Sequence, residues 1–249
     1  MECLSFGKNN SKLQYNGLYT FSLSAGYTCP GAKDCLAKVQ RIDGKSKVIR
    51  GACSKFTCFA ASDEARYTAV YESRKRNFEL LRQKEAPEMQ ELIQISLPKN
   101  AKIIRIHVSG DFFNQNYFDA WLAVAAQNKH ILFYAYTKSL HLWVNRLGLI
   151  PNNFVLTASK GGVFDTLIEK HNLRTAEVVF HPEEAEAKGL EIDHDDSHAM
   201  NNGPSFALLL HGAQAANSEA SKALKRMNKE KIEYSYNSKK SKPLVVTAL

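Results

Sequence analysis

Five short runs of apolar, β-branched or aromatic residues, spaced by stretches with helical periodicity, constrain this chain more than any other feature. The runs are IIRIHV (Ile103 to Val108), ILFYAY (Ile131 to Tyr136), FVLTA (Phe154 to Ala158), EVVF (Glu177 to Phe180) and FALLL (Phe206 to Leu210). They read as strands. YFDAWLAVAAQ, SLHLWVNRL, FDTLIEKHN and SEASKALKRMN lie among and after them with apolar residues at helical intervals. Strands recurring every ~20–30 residues with helices between them predict βαβ units and a mainly parallel sheet. The expected fold is α/β, one domain over residues 1–249, built as an open sheet or a partial TIM-barrel-like array. Upstream, Ser62 with Asp63 and Glu64 behind it predicts the start of one long helix reaching about Arg82. A second helix is expected from Glu88 to Leu97, after Pro87.

The cysteines sit apart from that scaffold. Cys3, Cys29, Cys35, Cys53 and Cys58 all fall in the first quarter of the 249 residues. The segment from Ser24 to Ala61 is rich in Gly, Lys and Ser and reads as a long loop, and a loop of that length needs a reason to be ordered. Several thiolates on one metal centre supply one. The pairs are C-x5-C (Cys29/Cys35) and C-x4-C (Cys53/Cys58), neither of which is a zinc knuckle. Cys29-Pro30-Gly31 loosely fits a ferredoxin-type loop. An iron–sulfur cluster, a zinc ion and ordinary buried or redox-active thiols are the three readings open at this level. Residues 1–61 thus form a cysteine-rich segment before a βα scaffold over 62–232 and a basic, Ser-rich tail over 233–249 around Lys239, Lys240 and Lys242.

In parallel α/β architectures binding chemistry gathers at the carboxyl ends of strands. There the chain places Ser109-Gly110-Asp111, Thr137-Lys138-Ser139, Ser159-Lys160-Gly161-Gly162, His181 and His211-Gly212. Asp111 and Ser139 read equally well as helix caps. Lys138 and Lys160 are candidates for gripping a phosphate or carboxylate as point charges. His194, Asp195, Asp196 and His198 form an acidic stretch that reads as a solvated loop, although it also has the makings of a divalent-ion site.

Lys and Arg total 33 against 25 Asp and Glu, a net charge of +8, which favours an anionic partner. Lys222, Lys225, Arg226, Lys229 and Lys231 mark the last helix as a nucleic-acid patch or simply as its wet face, the latter favoured because no aromatics interleave. No apolar run reaches the ~18 residues of a membrane helix, and the start lacks the layout of a secretion signal, so an intracellular protein without a membrane partner is expected.

FSLSAGYTCPGAKDC, TCFAAS, RIHVSGDFF with YFDAW, FYAYTKSL and FALLLHGAQAANSEASKAL together resemble a family of phage-encoded proteins from mycobacteriophages and marine phages. The resemblance runs from about Phe21 to Leu224. It implies a cytoplasmic location in the host cell and a cysteine set that binds a [4Fe–4S] or related cluster. The C-x-A sequence at Cys58, with a helix behind it, is similar to the cluster loop of radical-SAM enzymes. Carried over, Cys29, Cys35 and Cys58 are implied ligands, with Cys53 as a candidate fourth. The tight C-x3-C-x2-C loop of those enzymes is absent, since residues 36–52 separate Cys35 from the next cysteine. The resulting expectation is an iron–sulfur protein, either a redox protein or a radical-SAM-like enzyme that takes S-adenosylmethionine. Asp111, Lys138, Lys160 and His211 would line the pocket for a small anionic cofactor or substrate. The rival expectation is a zinc-stabilised module that binds nucleic acid.

Overall fold

The computed structural model describes residues 2–8, 13 and 15–232. The basic tail over 233–249 lies outside the described residues. Strands β1 (Phe6–Lys8) and β2 (Leu18–Phe21) open the chain, and β3 (Ala37–Ile42) and β4 (Lys45–Arg50) follow. Three helices come next: α1 (Phe59–Arg66), α2 (Thr68–Leu81) and α3 (Ala86–Ser96). The remainder alternates as β5 (Ile103–Ile106), α4 (Gln115–Gln127), β6 (Leu132–Thr137), α5 (Leu140–Val144), β7 (Phe154–Ser159), α6 (Thr166–Lys170), β8 (Thr175–Val179), α7 (Pro182–Ala187), β9 (Glu191–Ile192), β10 (Phe206–Leu209) and α8 (Glu219–Lys229).

The main sheet has eight strands in the order β1-β2-β5-β6-β7-β8-β10-β9. Within it β1 runs antiparallel to β2, and β2, β5, β6, β7, β8, β10 and β9 are all parallel. From β2 to β10 the strands stand in chain order with no reversal, so right-handed crossovers carry the connecting helices to one face. The sheet stays open, with β1 and β9 at its edges. The five strand runs thus hold as mainly parallel α/β, without a closed barrel.

Helices α3 and α4 pack Met89, Ile93, Phe118 and Trp121 against Ile104, Ile106, Phe133 and Phe154 on that face. The opposite face buries Ile103, Tyr134, Val155 and Phe206 beneath Ala199 and Met200. Burial on both faces explains why these strands read as continuous apolar runs rather than alternating ones.

Two expectations are corrected upstream. The segment from Ser24 to Ala61 is not a loop throughout, because β3 and β4 pair as an antiparallel hairpin in register Ala37↔Arg50 to Ile42↔Lys45. Its turn is Asp43-Gly44, both with positive φ (50° and 74°), the combination a two-residue hairpin turn requires. Nor is there one helix from Ser62 to Arg82. Cys58 is the N-cap of α1, Ser62 lies inside it, and Tyr67 breaks the run with extended angles (φ −117°, ψ 109°). Arg41 of the hairpin stabilises that break by donating to the carbonyls of Glu64 (2.7 Å) and Ala65 (3.4 Å) and to Thr68 Oγ1 (2.9 Å), which satisfies groups a helix end leaves open. Helix α3 begins earlier than expected, on a capping box between Glu85 and Glu88.

Candidate functional site

The carboxyl ends of the parallel strands converge on a cavity of about 170 Å³ lined by Cys29, Cys35, Cys58, Asp111, Lys138 and His211 among others. The cysteine loop reaches it by docking on the strand ends. Ala32 bridges Gly162, Asp34 N donates to the Gly161 carbonyl (2.9 Å) and Val163 N to that of Gly31 (2.9 Å). Gly31 is required here, since a Cβ at that position would overlap the Lys138 carbonyl. The Lys55 and Phe56 amides donate to the Asp34 carbonyl (2.8 and 3.2 Å), which folds the chain back from the hairpin toward Cys58.

Cys58 is fixed from two sides. Its neighbour Thr57 is clamped by Gln214, whose Oε1 accepts from Thr57 N (2.7 Å) and whose Nε2 donates to Thr57 O (3.1 Å). The amides of Ala60 and Ala61, at the amino end of α1, face the thiol and favour its anion, as helix starts do. Burial outweighs them, with the charge of Cys35 adding to it, and the thiol is pushed up to about 12. Burial foremost, then the charges of Asp111, Cys58 and Cys35, pushes Cys29 well up. Burial also raises Cys35, with Lys138 opposing it. The three thiols lie within electrostatic reach of one another, and all are neutral without a cation between them.

Asp111 does not cap a helix. Its carboxylate accepts from Phe112 N (2.7 Å), Thr137 Oγ1 (2.6 Å) and Lys138 N (2.8 Å), which joins the ends of β5 and β6. Burial still raises its pKa to about 6, the largest of the influences on it. Ser139 also makes no cap bond and donates instead to the Phe112 carbonyl (2.7 Å).

The two lysines divide. Lys138 is buried and donates all three N–H groups, to Ser159 Oγ (2.7 Å), to the Ser159 carbonyl (3.0 Å) and to the Lys160 carbonyl. Its charge serves Cys35 and Asp111 from a fixed position. Lys160 turns its ammonium away to Glu177 (3.1 Å), in a separate polar recess with Asp34, Lys55 and Lys188, so it does not line the cysteine cavity as expected. His211 does line the cavity, with its ring 4.7 Å from that of Phe59.

Cys53 and Cys3 are exposed, and neither lines the cavity. Among the described residues no three His, Cys, Asp or Glu side chains are gathered tightly enough to hold a single metal ion. Cys29, Cys35 and Cys58 nonetheless line one space, with the Lys138 side chain among its walls.

Residues with no expected part in the site, or with a different expected part, complete it. His107, with φ 67°, ends β5 in a left-handed conformation and bonds Tyr117 Oη through Nε2 (3.0 Å). Burial lowers its pKa to about 3, so its ring is neutral. Glu64 accepts from Ala25 N (2.9 Å), Ser109 Oγ (3.2 Å) and Arg74 Nη1 (3.3 Å), tying α1 and α2 to the start of the cysteine loop. Arg105 reaches the cavity floor and pairs with Asp196 (2.6 Å), which Tyr134 and Tyr136 also contact through their hydroxyls (2.8 and 3.2 Å). Asp193 and Asp196 are buried while His194 is exposed, so the acidic stretch turns part of its acids onto the inner face rather than lying wholly in solvent. The positive φ of Asp196 (64°) is the kind of backbone feature that residue type only hints at.

Fold and site together define an open, singly wound α/β protein with a three-cysteine cavity at the carboxyl edge of its sheet. The chain belongs to the Gene product 88 family, whose model matches residues 4–229. It is 30% identical over 122 residues to the Gene 88 protein of Mycobacterium phage L5, a match covering 45% of this chain and 44% of that relative. The chain is thus matched to less than half the length of that curated relative. No solved structure matches it. Among the described residues no helix is long and apolar enough to cross a membrane.

Proposed function

We propose that Cys29, Cys35 and Cys58 hold a [4Fe–4S] cluster at the carboxyl edge of the sheet, and that the protein is a radical-SAM-like iron–sulfur enzyme acting on a ligand in the adjoining cavity. One observation carries this: cysteines spread over a long, hairpin-interrupted segment line a single cavity, while Cys3 and Cys53 stay outside it. Cys29, Cys35 and Cys58 would hold the cluster, and S-adenosylmethionine would be the candidate ligand beside it. When bound, such a cluster supplies single electrons to that ligand.

The protein's own groups prepare the space. The α1 amides and Lys138 offset thiolate charge near Cys58 and Cys35. The Asp111 carboxylate, held by three donors, presents a fixed acceptor to an ammonium group. Phe56, Val178, Leu208 and Leu210 give the cavity an apolar wall that excludes water.

Anaerobically purified protein is expected to contain iron and acid-labile sulfide and to absorb in the visible, with S-adenosylmethionine altering the EPR spectrum of the reduced form. Cys29→Ala, Cys35→Ala and Cys58→Ala should each lose the iron, whereas Cys53→Ala and Cys3→Ala retain it. Colourless protein with stoichiometric zinc and no sulfide, or loss of iron in Cys53→Ala, defeats the proposal.

A further inference from the structure

Residues 211–214, which leave β10 and run on toward α8, are fastened to the chain on both sides of Cys58. Gln214 holds both backbone groups of Thr57, and its Nε2 also donates to the His211 carbonyl (3.2 Å). Gly212, with φ 81°, lies so close to Phe59 that a Cβ there would meet the Phe59 Cβ at 2.7 Å. The Ala213 carbonyl accepts from Ser62 Oγ (3.2 Å). The His211 ring rests on Phe59, with 4.7 Å between ring centroids. Both flanks of Cys58 are thus locked to one strap, and the side chain that this strap places among the walls of the cysteine cavity is His211.

The ring is oriented from behind. His211 Nδ1 lies 3.1 Å from the Leu209 carbonyl oxygen. A carbonyl oxygen only accepts, so Nδ1 carries the hydrogen, and in the neutral ring Nε2 carries the lone pair. Metal-ligating histidines are held in this way: one N–H donates to a backbone carbonyl, which fixes the tautomer and makes the other nitrogen a better donor to a metal. The remaining polar groups of the cavity are committed elsewhere. Asp111 accepts on both carboxylate oxygens, Lys138 donates to three oxygens, and His107 bonds Tyr117 through Nε2. Charge points the same way. Three thiolates would already share the cavity with the Asp111 carboxylate, against Lys138 and an Arg105 paired with Asp196, and a neutral imidazole adds no further anion.

We infer that His211 Nε2 is the fourth protein ligand of the cluster, completing with Cys29, Cys35 and Cys58 a site of three thiolates and one imidazole. The inference rests on the iron–sulfur reading of those cysteines and deepens it. A cluster held by the chain at every iron keeps any second ligand beside it rather than on iron. Imidazole in place of a thiolate also removes one negative charge from the ligand set, which raises the reduction potential, as it does where histidines replace cysteines on a [2Fe–2S] centre.

The test is pulsed EPR of the reduced, anaerobically purified full-length protein, prepared with ordinary histidine and with histidine isotopically labelled at its ring nitrogens, alongside iron and sulfide content and a redox titration. Wild type is expected to show a nitrogen hyperfine coupling that changes on labelling, and H211A to lose it. H211A should fall from about four irons per chain to about three after mild oxidation, the loss expected of an iron without a protein ligand. H211C should keep its full iron content with a lower midpoint potential than wild type, because a thiolate replaces the imidazole. The labelling comparison uses wild type alone, so it decides the matter even if a variant fails to fold. Wild type without iron and sulfide defeats the cluster reading itself. Full iron and sulfide with no histidine nitrogen coupling, or a coupling that survives in H211A, overturns the inference and leaves the cluster reading standing.

Discussion

The two faces of the same strands are built on different terms. On β5, Ile104 and Ile106 belong to the helix-covered core, whereas Arg105 faces the inner side and His107 ends the strand against the cavity. On β6, Phe133 and Ala135 go to the core, while Tyr134 and Tyr136 meet Asp196. The helix face is a continuous apolar and aromatic layer, with Trp121 between Phe21 (5.4 Å) and Phe133 (6.2 Å). The inner face holds a buried ion pair and opens on the cysteine cavity, while the neutral His107 ring sits where the two sides meet, packed on Phe112 and Tyr117. Stability is concentrated on one side and costly polar burial on the other, the pattern expected where a scaffold carries a reactive site.

The sharpest way to break this comparison is to damage each face in turn. Trp121→Ala should cost about 3–5 kcal/mol of unfolding free energy, as large-to-small changes in a packed core do, while iron retention in the folded protein is unchanged. Chemical denaturation and iron analysis on the same variant check both halves. Asp196→Asn should cost about 3 kcal/mol, because it takes the carboxylate from the buried Arg105 charge. It should also disturb the cavity floor that Arg105 lines, seen as a changed visible or EPR spectrum of anaerobic protein. If Trp121→Ala changes the spectrum and Asp196→Asn does not, the division of labour between the faces is wrong.

How much of this was legible in the sequence follows the same division. The core face was, because Ile, Val and Phe at strand and helix spacing report burial directly, and all five predicted strand runs fall on β5, β6, β7, β8 and β10. Six of the eight predicted site residues, Cys29, Cys35, Cys58, Asp111, Lys138 and His211, line one cavity. Lys160 and Cys53 were misplaced because residue type does not state which way a side chain turns at a strand end or in a turn. Asp43-Gly44 was a readable hairpin signal, hidden by the polar residues of an exposed ribbon. Arg105 and Gln214 were missed, and Glu64 and Asp196 were given other roles, for a deeper reason. Each acts through a partner 39 to 157 positions away, and no local pattern marks such pairs.

His107 refines the picture through pH. Its folded pKa of about 3 lies below the ordinary 6.5, so the unfolded chain takes up a proton that the folded chain refuses. The stability this neutral ring permits is complete above about pH 6.5 and is lost as pH falls toward 3. Between roughly pH 7 and pH 5 that amounts to about 2 kcal/mol. Denaturant titrations at the two pH values should show a smaller drop in His107→Asn than in wild type. An equal drop assigns the acid sensitivity to other groups.

The smallest expected effect separates the two lysines that look equivalent beside their strand ends. Lys160 is 43% exposed and shares Glu177 with Lys188, so Lys160→Met should change stability by less than about 1 kcal/mol. Lys138 is buried, and its ammonium joins the ends of β6 and β7 through three oxygen acceptors. Lys138→Met leaves those acceptors unpaired and should cost about 1–3 kcal/mol, while also removing the positive charge that favours the Cys35 thiolate. Iron occupancy after anaerobic reconstitution should therefore fall in Lys138→Met and hold in Lys160→Met. Equal loss in both variants means that the polar recess at Lys160 communicates with the cysteine cavity, and the boundary drawn between them has to move outward.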